Sequence, residues 1–186
     1  MTQARVGRWL RVGAASLACL LLATLPATAA APQAAKACPP ASVGGKAVGK
    51  IVVGPVTVAI KRVHQSADGS FDSVPTNKVA SVVAEWQPLT AKSGTTVLLW
   101  HSRFGVGCDG ALNVLFDKKI GDTFVVIDGN GVRRSYEIAA INTVAKGKYW
   151  DSWFQWDGAR QLTLVTCTGL INGKFTQNFV INALPI

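Results

Sequence analysis

Charged side chains are scarce in this sequence. Only 16% of the 186 residues are Asp, Glu, Lys or Arg, whereas 49% are hydrophobic. That composition excludes a disordered chain and supplies enough apolar material for one folded domain with an appendage. The formal net charge is +9, but no dense cluster of Lys and Arg carries it. We therefore expect no nucleic-acid partner.

Acidic residues are absent from the first part of the chain, which we predict to lie outside the fold. Arg5, Arg8 and Arg11 precede an apolar run at residues 12–25, and small residues follow. This order is typical of a secretory signal peptide, and the apolar run is short for a membrane span of roughly 20 residues. We expect an exported, extracellular or envelope-associated protein. The expected segments are a signal peptide or uncleaved membrane anchor (1–31), a flexible leader (32–49) and the folded domain (50–186).

Long helical patterns are missing after the leader. Short apolar runs alternate with turn signals and predict strands near residues 51–53, 56–62, 95–100, 123–127, 134–144, 161–166 and 178–183. The quartet DGNG at residues 128–131 predicts a β-hairpin. Periodicity does not decide whether residues 79–86 and 112–116 are strands or helical turns. We predict an all-β fold, either a sandwich or a closed barrel, and we favour the barrel.

Cysteine is also rare. Cys19 lies in the predicted signal segment, which leaves Cys38, Cys108 and Cys167. An odd number outside the cell implies either one disulfide with one free thiol or three free thiols. The sequence does not fix the pairing. Cys38 near the start of the mature chain and Cys108 in a Gly-rich loop would be easy to join, and Cys167 would then be left over.

Only two histidines are present, His64 and His101. His101 ends one strand-like run and Cys167 ends another, and strand ends meet at the rim of a barrel, where ligands bind. An imidazolium makes a nearby thiol more available as thiolate and can protonate a leaving amine. With reference pKa values of ~8.5 for Cys and ~6.5 for His, the charged pair is a minor species at neutral pH. On spacing alone, a buried inert Cys and a structural His would be the plainer interpretation.

The local sequence around these residues favours a catalytic pair over an inert cysteine and a structural histidine. QLTLVTC at residues 161–167 resembles the TLxTC signature of sortases, the cysteine transpeptidases of Gram-positive cell surfaces. The resemblance covers about residues 50–186 and is greatest for small exported actinobacterial sortases of classes E and F. The other matching segments are the histidine strand (97–101), a Gly-Asp turn (119–123), the strand after it (136–138) and the closing strand (178–183).

The resemblance implies a closed eight-stranded barrel and a thioacyl mechanism. Cys167 would attack the Thr carbonyl of an LPxTG-like sorting signal, and His101 would protonate the departing Gly amine. An amine from a peptidoglycan precursor or a pilin would then resolve the thioester. No cofactor is expected, and no metal either, because Asp109, Asp117 and Asp122 are too scattered for a calcium loop.

The aromatic residues before the cysteine strand allow two interpretations. Thr166 and three tryptophans are candidates for lining a peptide groove, since aromatic rings supply rigid contact area. These tryptophans are Trp150, Trp153 and Trp156. The alternative is that the tryptophans pack as anchors of a loop.

One sortase residue is missing. Sortases carry an arginine on the last strand, but no arginine follows Cys167 here, and Thr176 stands at the corresponding place. Lys174, Thr176 and Asn178 would share one face of that strand and are candidate donors to the substrate and its oxyanion. A lysine would replace an arginine imperfectly because it is a point charge rather than a planar fork. The remaining substitutes are Arg103 and Arg160, and with no substitute the enzyme would be slow or degenerate.

A second departure is Trp100, where many sortases have glycine before the histidine. It is harmless if it faces the core, and it narrows the site if it faces the groove.

Two other functions compete with the transpeptidase. Residues 102–108 faintly resemble the Ser-x-Gly-Cys loop of L,D-transpeptidases, with Cys108 as nucleophile, and a disulfide at Cys108 would exclude that enzyme. The other alternative is a catalytically degenerate, sortase-like barrel that binds peptides without cleaving them.

Overall fold

A computed structural model describes residue 38 and residues 45–67, 76–104, 107–148 and 151–186. This part of the chain forms eight strands: β1 (Gly49–Val53), β2 (Val56–Val63), β3 (Val79–Val83), β4 (Thr95–Trp100), β5 (Thr123–Asp128), β6 (Arg133–Ala145), β7 (Gln161–Ile171) and β8 (Lys174–Pro185). Two short 3₁₀ helices, Asn113–Asp117 and Asp151–Trp153, lie in the connections. None of the helices in the described ranges is long and apolar enough to cross a membrane.

The strands close into a barrel in the order β1-β2-β3-β4-β7-β8-β6-β5. Two neighbouring pairs, β2 with β3 and β4 with β7, run parallel, and the others run antiparallel. The predicted all-β, closed eight-stranded barrel is thereby confirmed. Closing the sheet gives every strand a neighbour on both sides over part of its length, and the last residues of β7 pair with β8 alone.

Alternating side chains divide into an inner and an outer face. Leu98, Leu162 and Ile181 are among the fully buried residues that fill the barrel. Their neighbours one position along point outward, where Val97 joins a second apolar cluster with Trp86, Phe154 and other residues. Because both faces of β3 and β4 are covered, these strands are buried along their whole length. That double burial explains why residues 79–83 of the undecided run 79–86 show no alternation in the sequence.

Trp100 points into the barrel. It is buried in the core, and its ring centroid lies 6.3 Å from that of Phe116, which belongs to the 3₁₀ helix Asn113–Asp117. The side chain therefore packs as core and does not narrow the outer face of the barrel. The undecided run at residues 112–116 is largely this 3₁₀ helix, with Leu112 and Leu115 also buried in the core.

The predicted hairpin joins β5 to β6. Asp128 holds the turn with one carboxylate oxygen that accepts hydrogen bonds from the backbone amides of Asn130 and Val132, at 2.9 and 3.1 Å. Its other oxygen accepts a bond from the Arg134 guanidinium at 3.1 Å. The Asp128 side chain is only 1% exposed. Burial raises the pKa of this carboxyl, but the two amides and the guanidinium outweigh burial and lower it below its usual value.

Candidate active site

His101 follows the end of β4 and lies next to Cys167, which is within β7. The prediction that Cys167 ends its strand was wrong, because β7 continues to Ile171 by pairing with β8. Strands β4 and β7 are parallel neighbours, and their last register pair is Leu99 with Val165, two residues before each candidate. Beyond that pair, the Thr166 hydroxyl donates to the Trp100 carbonyl at 2.6 Å, and the Ser102 hydroxyl donates to the Cys167 carbonyl. These two hydrogen bonds hold the chain around His101 against β7 just before and at Cys167.

Both side chains belong to the outer face. Leu99 and Val165 pack in the outer apolar cluster, and His101 and Cys167 each follow two residues later on the same side. Cys167 is a free thiol of intermediate exposure. The His101 ring is half-buried and meets Phe104 edge-on, with ring centroids 5.1 Å apart. An accessible thiol beside an imidazole can act as a nucleophile with its acid–base partner.

The loop after His101 is held tightly. The Ser102 carbonyl accepts hydrogen bonds from the Gly110 amide at 2.9 Å and from the Asn113 side chain at 2.8 Å. A Cβ atom on Gly110 would overlap the carbonyl oxygen of His101. Gly110 is therefore required so that the returning chain can pack directly against the histidine backbone.

The other histidine lies elsewhere. His64 follows β2 at the end of the barrel where β4 begins, whereas His101 follows the end of β4. Its Nδ1 lies 2.9 Å from a carboxylate oxygen of Glu85. The backbone amide of Gln65 and the His64 side chain both hydrogen-bond to Glu85 and lower the pKa of that carboxyl. This surface pair takes no part in the site at Cys167.

β8 supplies the residues beside the thiol on its other flank. Asn178 is the register partner of Cys167, so its side chain shares the outer face with the sulfur. The Thr176 hydroxyl donates to the Gly169 carbonyl at 2.8 Å. Lys174 starts the strand four residues before Asn178, which is roughly 13 Å away along the strand. Of the three candidate donors, Asn178 lies in register with the cysteine, and Lys174 lies at the hairpin end.

The two candidate arginines are engaged away from the sulfur. Arg103 forms an exposed ion pair with Asp109, with Nε 3.6 Å from the carboxylate. Arg160 precedes β7 at the opposite end of the barrel, where its guanidinium donates to the Thr96 hydroxyl at 2.6 Å. Arg160 is thus a structural residue, since the six residues of β7 at positions 161–166 separate it from Cys167 along the strand.

Sequence reasoning missed one cation. Lys146 follows directly after β6, and its Nζ donates to the Cys167 sulfur at 3.3 Å. Nothing in the local sequence marks this lysine, because β6 approaches β7 only through the intervening β8. Only the pairing register of β6 with β8 would have indicated that Lys146 lies near Cys167.

The pairing that the sequence left open is present in the structure. Cys38 and Cys108 form a disulfide with their Cα atoms 5.4 Å apart. Cys108 is therefore no thiol nucleophile, which removes the basis for the L,D-transpeptidase alternative. The bond also ties the segment before the barrel to the loop that follows His101.

The predicted groove residues separate into different roles. Trp153 is buried, and its carbonyl accepts a hydrogen bond from the Thr163 hydroxyl at 2.6 Å, so it anchors the loop. Thr166 is likewise buried with its hydroxyl bound to Trp100, and neither residue lines an open groove. Trp156 is 61% exposed and stacks on Trp86 with centroids 5.3 Å apart. Trp150 lies outside the described residues.

A cavity of about 490 Å³ lies away from the cysteine. Its lining includes Lys46, Arg62, Val83 and Asn130 and belongs to the end of the barrel where β4 begins. It is therefore separate from the candidate active site. Within the described ranges, no group of three or more His, Cys, Asp or Glu side chains is arranged to hold a metal ion.

Comparison with known families identifies the domain. The sortase domain family matches residues 56–186, which is more than half of the chain and includes both His101 and Cys167. The chain belongs to the sortase family. Sortases are cysteine transpeptidases, so the placement of a thiol and an imidazole at one mouth of this barrel agrees with the family assignment. Comparison with proteins of curated function gives no match.

Solved sortase structures share the fold. The chain is similar to sortase A from Corynebacterium diphtheriae with a TM-score of 0.60 and 18% identity, over 77% of this chain and 62% of that one. It is similar to sortase C from Clostridium perfringens SM101 with a TM-score of 0.57 and 19% identity, over 76% and 71% of the two chains. For sortase C-1 from Actinomyces oris the TM-score is 0.59 and the identity 23%, over 76% and 75%. The sortase domain thus spans less than two thirds of the Corynebacterium protein.

Proposed function

We propose that this sortase is an exported cysteine transpeptidase that cleaves an LPxTG-like sorting signal and transfers the acyl fragment to a cell-surface amine. The observation that carries the proposal is the placement of Cys167 and His101. A free thiol within β7 and an imidazole just after β4 are neighbours on the outer face of the barrel, two residues beyond the last register pair of these parallel strands. The family assignment and the signal-like N-terminal segment support the same proposal.

The first half-reaction forms a thioester. Cys167 gives its proton to His101, and the thiolate attacks the carbonyl carbon of the signal's Thr, so that a C–S bond forms and the carbonyl electron pair moves to oxygen. The oxyanion then collapses, the C–N bond to Gly breaks, and the His101 imidazolium donates its proton to the departing amine. The products are a free Gly-bearing fragment and an acyl group on Cys167.

The second half-reaction returns the enzyme. An amine acceptor attacks the thioester carbon, a new amide C–N bond forms, and the C–S bond breaks to release the thiolate. The proton lost by the amine passes through His101 and finally to the cysteine. The proposed acceptors are a peptidoglycan-precursor amine or a pilin amine, as the resemblance to small actinobacterial sortases implies.

The surface beside the thiol suits an extended peptide. Val165, two residues before Cys167 on the same face, is partly buried against the outer apolar cluster. Phe154 packs against this cluster, and its ring centroid lies 5.5 Å from that of Trp86. An apolar surface next to the nucleophile favours the Leu and Pro of a sorting signal over a charged sequence.

A peptide-binding module without turnover is the second candidate. The observation that favours it is the absence of any arginine after Cys167. A missing oxyanion donor typically lowers the rate by ~10²–10³, which slows a sortase severely unless another donor acts. The same cleavage experiment separates the two functions.

The test uses the two histidines of the chain as a matched pair. The full-length protein is incubated with LPxTG-type and LAxTG-type peptides and an amine acceptor, and products are separated chromatographically. We expect cleavage between Thr and Gly, its complete loss in Cys167→Ala, and a loss of several orders of magnitude in His101→Ala. His64→Ala should match the wild type because His64 lies at the other end of the barrel.

Folded protein that binds the peptides but cleaves none of them across a broad panel would favour the binding module. Equal losses in His101→Ala and His64→Ala would show that the histidine effect is not local to the cysteine.

A further inference from the structure

Lys146 stands on the same face of the sheet as the catalytic thiol. Asn178 on β8 pairs with Val144 on one side and with Cys167 on the other, so the three side chains point the same way. Lys146 follows Val144 by two residues and keeps this orientation. Its backbone amide donates to the Thr176 carbonyl at 3.1 Å, which extends the β6–β8 register past the end of β6.

The lysine side chain reaches across β8 to the sulfur. β8 lies between β6 and β7, and Nζ of Lys146 nevertheless donates to Sγ of Cys167 at 3.3 Å. The ion pairs of the described residues are His64 with Glu85, Arg103 with Asp109 and Arg134 with Asp128, and none of them engages Lys146. Within the described part of the chain, no carboxylate therefore competes with the thiol for this ammonium.

From this geometry we propose that Lys146 is the cation of the active site. Its ammonium stabilises the Cys167 thiolate before attack and donates to the oxyanion after attack, the place that an arginine of the last strand fills in other sortases. The proposal rests on the proposed transpeptidase function for its second step, whereas the first step concerns the thiol alone.

The chemistry fits an ammonium with three donors. A positive charge within hydrogen-bond distance of sulfur favours thiolate over thiol. When sulfur bonds to the acyl carbon, the oxyanion develops one bond away from that carbon, and a second Nζ–H can meet it without a change of strand position. Lys146 is exposed in the free protein, so water screens the pair, and a bound peptide that excludes water strengthens it.

The competing donors on β8 are less well placed. Lys174 lies roughly 13 Å along the strand from the residue opposite Cys167. The Thr176 hydroxyl already donates to the Gly169 carbonyl. Asn178 can add a neutral hydrogen bond from its position opposite the cysteine, but it carries no charge.

The first experiment needs no peptide. Purified full-length protein is treated with iodoacetamide at neutral pH and low ionic strength, and alkylation is timed by mass spectrometry on the tryptic peptide that contains Cys167. Lys146→Met keeps the length of the side chain and removes the charge, and we expect alkylation at least about tenfold slower. Lys146→Arg should restore most of the rate, and added salt should slow the wild type more than Lys146→Met.

The matched control is Lys148→Met. Lys148 is equally exposed, two residues further along, and has its backbone amide bonded to the Ala145 carbonyl. Its alkylation rate should equal that of the wild type. Thermal melting of each variant checks folding, and because Lys146 is exposed we expect little change in Tm.

The second experiment measures peptide cleavage. Lys146→Met should lower kcat by ~10²–10³ with a smaller effect on KM, because the ammonium meets charge that develops only in the transition state. Unchanged alkylation in Lys146→Met would overturn the proposal, as would a loss of cleavage in Lys174→Met with none in Lys146→Met. If the wild type cleaves no peptide while Lys146→Met still slows alkylation, the transpeptidase function fails and the lysine–thiolate contact stands.

Discussion

At the scale of single residues, Cys167 has a different partner on each flank. His101 lies beside it just after β4, Asn178 lies opposite it on β8, and Lys146 reaches its sulfur from just after β6. In the proposed mechanism these residues supply the nucleophile, the acid–base group, a neutral donor and a charge. Cys167 itself is a free cysteine of intermediate exposure.

The buried carboxylate of Asp128 should stabilise the fold in a way that depends on pH. Its pKa is lowered in the fold, because hydrogen bonds from two backbone amides and Arg134 outweigh the burial that raises it. A lowered folded-state pKa contributes stability that is present above the unfolded pKa and is lost as pH falls through the folded value. We expect Asp128→Asn to lose about 1–3 kcal/mol of unfolding free energy at neutral pH.

Urea denaturation of the wild type and Asp128→Asn at several pH values measures this. The difference between the two proteins should be constant well above the unfolded Asp pKa of ~3.9 and should shrink as the pH falls below it towards the lower folded value. Asp117→Asn, at an exposed acid, is the control and should behave as the wild type. A difference that stays constant down to pH 3 would contradict the role assigned to the carboxylate.

At the scale of elements, the strand ends and the loop behind them set the geometry of the site. Hydroxyls of Thr166 and Ser102 join β4 to β7 beyond their last register pair. The chain then returns at Gly110, in direct contact with the backbone of His101. The histidine is thus fixed by packing of its own main chain rather than by its side chain alone.

Gly110→Ala tests that packing. The added Cβ overlaps the His101 carbonyl, so the histidine must shift relative to Cys167. A displacement of about 1 Å can lower catalysis by up to ~10²-fold, and we expect kcat for peptide cleavage to fall by roughly ten- to a hundredfold. Assays are run well below the Tm of each protein, so that a loss of stability does not mimic a loss of rate.

Gly129→Ala is the control for the glycine substitution. Its Cβ would lie 3.1 Å from the Val48 carbonyl oxygen, at the opposite end of the barrel from Cys167. We expect a small loss of stability and an unchanged kcat. Equal rates in both variants would show that Gly110 does not position the histidine.

Element identity was predictable where one face of a strand is buried or a turn is marked. The DGNG turn specified the β5–β6 hairpin, and the alternation in β2 is visible in its burial pattern. β3 was undecided because both of its faces are covered. Lys146 was missed because its approach to Cys167 depends on the sheet order β7-β8-β6, which no local pattern contains.

At the scale of the whole molecule, the candidate active site and the cavity lie at opposite ends of the barrel. One end carries Cys167 and the strand ends around it. The other carries the Asp128 turn, the cavity near Arg62 and the His64–Glu85 pair. The disulfide between Cys38 and Cys108 fastens the start of the domain to the loop beside the site, which leaves Cys167 as the free thiol of the described chain.

The central claim is that Cys167 becomes acylated by a sorting signal. The direct measurement is mass spectrometry of the full-length protein mixed with a cleavable peptide in the absence of an acceptor amine and quenched in acid. The account predicts a mass increase equal to that of the fragment ending at Thr less one water, as a thioester requires, located on the peptide that contains Cys167 and missing in Cys167→Ala. Turnover that persists in Cys167→Ala, or an adduct on any other residue, would contradict it.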